Sequence, residues 1–129
     1  MTTPRRTTDG RGRPQPASTS RLILNRNVGE GFSLGWEWRF DVRELTAQFV
    51  TLAATTGLAT SLWQLEATDA LQITPAGTLT CVRCAPATLA PCEIRVVRVT
   101  ATRASLLIHV PRSLKIIRHD LAATGAPAS

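Results

Sequence analysis

Long apolar runs are absent: no stretch of the 129 residues approaches the roughly 18 consecutive apolar positions that a membrane helix needs. Arg5-Arg6 is followed by no apolar core, so neither a twin-arginine nor a secretory leader is expected. Cysteine is scarce and odd in number, at three. That is unlike the even framework of a small secreted domain, and a reducing cytoplasm is the expected compartment. Lysine is nearly missing, one residue against 14 arginines. No Ser/His/Asp set, paired carboxylates or glycine-rich phosphate loop stands out, so neither an enzyme nor a cofactor is expected. No internal repeat is evident.

What the chain does have is arginine, unevenly placed. Residues 1–21 hold five Arg against Asp9, and residues 93–129 hold five Arg and Lys115 against Glu93 and Asp120. The middle, 22–92, has four Arg against six acids. Basic ends around a mildly acidic middle favour a polyanionic partner. Arginine suits bidentate contacts to phosphate and base edges, although an arginine-preferring genome would give the same composition.

Residues 1–20 carry only Met1 and Ala17 as apolar side chains and are expected to form a disordered basic arm. Leu22-Ile23-Leu24, the turn Val28-Gly29-Glu30-Gly31, and Phe32 and Leu34 read as strand, turn and strand. Trp36, Trp38 and Phe40 alternate onto one face, a possible stacking platform but more ordinarily a core face. Residues 41–56 read as a helix. Asp41 caps it, Glu44 follows three residues on, Gly57 ends it, and Val42, Leu45, Phe49 and Leu52 form the stripe. Residues 58–73 fit either helix or strand. Pro75-Ala76-Gly77 sits between two short apolar runs, a hairpin pattern, and 84–92 read as a loop. Strands are expected at 93–100, 104–110 and 114–118, with Pro111 ending the second. A short helix is expected from His119 to Ala123, and a disordered tail at 124–129.

The two ends, 22–30 and 108–121, resemble the carbon storage regulator (CsrA/RsmA) family of bacterial translational regulators. That family opens on a Leu-Ile-Leu strand and Val-Gly-Glu, and closes on a proline segment, an apolar strand, an arginine and an acidic helix start. The resemblance implies a mainly β fold: a small five-stranded sheet in an interlocked homodimer, with strands of one chain completing the sheet of the other. It makes 21–123 one domain, interrupted at about 36–90 by an α-helical and hairpin insertion similar to the helix of the RsmN/RsmF subgroup. It implies binding of GGA-containing hairpin loops in mRNA and small regulatory RNA, with repressed translation or altered mRNA stability. By resemblance Leu24, Asn25 and Arg26 would line one side of the RNA site, and Val110, Pro111, Arg112, Ile116 and Arg118 the other. Asn27, Ser105, Leu107 and Ile117 depart from the family's pattern.

Two other readings exist. Cys81-x2-Cys84-x7-Cys92 has a knuckle-like spacing, but zinc would need His109 or His119 as a fourth ligand, so no metal is expected. A protein-interaction or antagonist module on the same scaffold, with weakened RNA binding, would use the insertion and the tryptophan stripe.

Overall fold

The computed structural model describes residues 19–120. They form ten strands: β1 (Thr19–Arg26), β2 (Gly31–Leu34), β3 (Trp38–Leu45), β4 (Phe49–Thr56), β5 (Ala59–Glu66), β6 (Ala70–Ile73), β7 (Leu79–Val82), β8 (Glu93–Val99), β9 (Ala104–Pro111) and β10 (Ile116–His119). All pair antiparallel, in two five-stranded sheets ordered β1-β9-β8-β6-β7 and β10-β2-β3-β4-β5. The inward residues of both sheets join in one core, with Leu24, Leu71, Ile94, Val96, Leu106 and Ile108 from the first and Phe32, Phe40, Val42, Val50, Leu52 and Leu65 from the second. Phe40 stacks between Phe32 and Trp38, ring centroids 5.1 and 5.9 Å away.

Among the described residues there is no helix, which corrects the expected inserted helix. Residues 41–56 are the end of β3, a turn and β4. The helical stripe was an accident of a β-bulge. The β3–β4 register slips between Val42 and Glu44, so Leu45 returns to the inward face three residues after Val42. Beyond the turn, Val50, Leu52 and Ala54 are buried at a spacing of two, and the β-branched Val50, Thr51, Thr55 and Thr56 suit a pleated surface. The expected short C-terminal helix fares no better where it can be seen, since His119 ends β10 and Asp120 is in no helix; residues 121–123 lie outside the described residues. The same holds for most of the expected arm at 1–20, of which Thr19 and Ser20 belong to β1, and for the 124–129 tail. Nor is 36–90 an insertion into one small sheet: it supplies β3 to β7 and so most of the second sheet. The expected hairpin is β6–β7, and β1 and β2 lie in different sheets rather than pairing.

The two sheets are built alike. Position by position, β1, β9, β8, β6 and β7 of one correspond to β5, β4, β3, β2 and β10 of the other. The β8–β9 register slips between Val96 and Arg98, the counterpart of the slip between Val42 and Glu44. Each of those hairpins turns on a threonine: the amide of Thr46 donates to the Phe49 carbonyl at 2.9 Å, and that of Thr100 to the Arg103 carbonyl at 2.8 Å. The β1–β2 and β5–β6 turns also match. Gly29 and Thr68 both have positive φ, 91° and 76°, and their amides donate to the carbonyls of Val42 and Val96. The carboxylates of Glu30 and Asp69 accept from the amides of Asn27 and Glu66, both at 2.9 Å. An internal repeat is therefore present in the fold.

Candidate nucleic-acid interface

Arg26, the last residue of β1, is buried at 5% exposure and fastens the first sheet to the second. Its Nη1 donates to Asp120 Oδ1 at 2.8 Å and to the carbonyls of Gly31 and His119 at 3.3 Å each; its Nε donates to the Asn25 carbonyl at 2.8 Å. The Arg26 guanidinium holds the Asp120 carboxyl below its ordinary value, reinforced by Arg118 and His119. This clamp brings the ends of β1 and β10 together, although 94 residues separate Arg26 from Asp120.

A shallow cleft lies over that junction, lined by Asn25, Arg26, Asn27, Glu30, Arg103, Arg118 and Asp120. A second depression, lined by Arg98, Thr100, Thr102 and Ser105, shares Asn25 and Arg103 with the first, so the two are continuous. The β8–β9 hairpin places Arg103 here, because β9 pairs with β1 with Ala104 opposite Arg26. Ser105 Oγ donates to Asn25 Oδ1 at 2.6 Å and fixes that amide at the rim. Arg118 is more than half exposed, its Nη2 3.9 Å from Asp120 Oδ2. Among the described residues no carboxylate pairs with Arg98 or Arg103. The surface therefore offers three solvent-facing guanidinium groups and several neutral hydrogen-bonding groups, with no apolar pocket. Such a surface suits an extended polyanion with readable polar edges.

Of the residues expected at an RNA site, the structure brings Asn25, Arg26 and Arg118 together. Leu24 and Val110 are core residues, 4% and 0% exposed. Arg26 is committed to the clamp. Pro111 pairs with Thr19 at the far end of the β1–β9 ladder, seven strand positions or about 24 Å from the cleft. There it faces Trp38, Ile73, Pro75, Cys92 and Leu114 in a separate apolar depression. Arg112 follows it and is exposed; Ile116, at the start of β10, is half-buried against the core. Sequence reasoning missed Arg98 and Arg103. Their signal was the 100–103 turn: the β1–β9 pairing, once drawn, carries that turn to Asn25.

The three cysteines are free thiols, and among the described residues no group of three ligating side chains converges. Burial pushes the Cys92 thiol up. His109 Nδ1 donates to the Ala90 carbonyl at 2.7 Å, and His119 Nε2 lies 2.6 Å from Ser33 Oγ. Trp38 and Phe40 are buried, so only Trp36, 98% exposed, remains of the tryptophan stripe. No helix among the described residues is long and apolar enough to cross a membrane.

Comparison with protein-family models, with curated proteins and with solved structures finds no match to this chain.

Proposed function

We propose that this protein is a cytoplasmic post-transcriptional regulator, related to the carbon storage regulator family, that binds an unpaired GGA-containing loop of mRNA or small RNA at the Asn25–Arg103–Arg118 cleft. The observation that carries this reading is the convergence of the two family-like chain ends: Arg26 at the close of β1 hydrogen-bonds the carbonyl of His119, next to Arg118. Exposed guanines in a loop present their Watson–Crick and Hoogsteen edges, which guanidinium forks and amide groups can read, while the remaining arginines take the phosphates. Bound near a ribosome-binding site, the protein would compete with initiation. With Trp38 and Phe40 buried, the tryptophan stripe lends no support to the interaction-module reading.

The test is a gel shift with a hairpin carrying GGA in its loop and the same hairpin with CCU there. Binding of the first at least about tenfold more tightly, with about tenfold lost in Arg118→Ala, is the expected result. Equal binding of the two loops, or an Arg118→Ala affinity within about twofold of wild type, contradicts it.

A further inference from the structure

The internal two-fold of the fold bears on how many such sites the chain has. Strands β1 to β4 form one half and β5 to β10 the other, yet β1 completes the sheet of β6, β8 and β9, and β5 completes the sheet of β2, β3 and β4. β10 crosses over beside β2, while β7 fills the corresponding place beside β6. The halves exchange strands within a single chain, and both sheets reach five strands with no second copy.

The strand registers assign each cleft residue a counterpart. Gln64 answers to Asn25, Leu65 to Arg26, Glu66 to Asn27 and Asp69 to Glu30. Phe49 answers to Arg103, Glu44 to Arg98, Cys81 to Arg118 and Arg83 to Asp120. The first locus holds four arginines against two carboxylates. The second holds one arginine against three carboxylates, and that arginine is spent on Asp69, Nη1 to Oδ2 at 2.6 Å. The repeated backbone has thus kept its turns and bulges while the charge of the second locus has reversed.

Resting on the RNA reading above, we propose that the chain is a self-sufficient monomer with one RNA site, the second locus having a sign that repels a polyanion. Such a protein binds one hairpin per chain and cannot bridge two.

The experiment is native mass spectrometry and light scattering of the full chain, alone and titrated with the GGA-loop hairpin, together with gel shifts of Arg103→Glu, Arg118→Glu and Gln64→Glu. All three positions are exposed, so the variants are expected to fold. The proposal expects the 13.9 kDa mass of one chain, saturation at one RNA per chain, and about tenfold or greater loss in both arginine variants. Gln64→Glu should stay within about twofold of wild type. A two-chain mass, two RNAs per chain, or a comparable loss in Gln64→Glu overturns the single-site monomer while RNA binding itself stands. No complex with the GGA-loop hairpin overturns the RNA reading and the site count with it, while the mass still decides whether the fold closes within one chain.

Discussion

Gly29 and Thr68 occupy the same place in the two halves, and only one suits it. A left-handed backbone is free to glycine but strains a β-branched residue by about 1–3 kcal/mol. Thr68→Gly should therefore raise the urea midpoint by relief of that strain, less the entropy that glycine adds to the unfolded chain. Gly29→Thr should lower it by about 1 kcal/mol or more. Equal, small effects in both would contradict the shared turn geometry. At the next residue, burial of Asp69 opposes its charge, but the amides of Glu66 and Cys84 and the Arg83 guanidinium outweigh this and hold its carboxyl below the ordinary value. A carboxylate lowered in the folded state stabilises above the unfolded value, near 3.9, and that stability is lost as pH falls through the folded value. Stability measured by urea titration should thus fall below about pH 4, and Asp69→Asn should flatten that acid limb.

Among the elements, the two threonine-centred hairpins are the clearest copies of one another. Thr46 Oγ1 accepts from the amides of Gln48 and Phe49 at 3.1 and 3.0 Å, and Thr100 Oγ1 from those of Thr102 and Arg103 at 3.3 and 3.1 Å. Thr46→Ala and Thr100→Ala should each cost about 1 kcal/mol in denaturant unfolding, and only Thr100→Ala should weaken RNA binding, because it loosens Arg103. Five of the strands were legible in the chain: β1 and β2 from their apolar triplet and alternation, β8, β9 and β10 from theirs. The β6–β7 hairpin was legible in Pro75-Ala76-Gly77. The end of β3 and all of β4 were not, because the bulge after Val42 converts a spacing of two into one of three, which reads as a helix. β5 was obscured by Leu58 and Leu62, which suit a helical stripe but are exposed, one in the β4–β5 turn and the other on the edge strand. The arginine at the heart of the expected site was legible as Arg118. Arg98 and Arg103 were not, since only the pairing of β9 with β1 brings them in.

On the scale of the molecule, the repeat escaped the sequence because the halves share almost nothing but pattern. Over 38–56 and 92–110, only Val42, Thr46, Ala47 and Leu52 recur, as Val96, Thr100, Ala101 and Leu106. Even an ion pair has changed sign: Arg39 with Asp41 on one sheet becomes Glu93 with Arg95 on the other. Burial and turn chemistry were preserved, which is all that a sheet needs, and surface charge was left to diverge into one basic locus and one acidic locus. The basic locus is the centre of the account. Titration of the isotopically labelled chain with the GGA-loop hairpin, followed amide by amide in solution NMR, tests it most directly. The shifts should concentrate at Asn25–Asn27, at Arg98 to Ser105 and at Arg118; shifts centred on Gln64, Glu66 and Arg83, or spread evenly over both sheets, would contradict it.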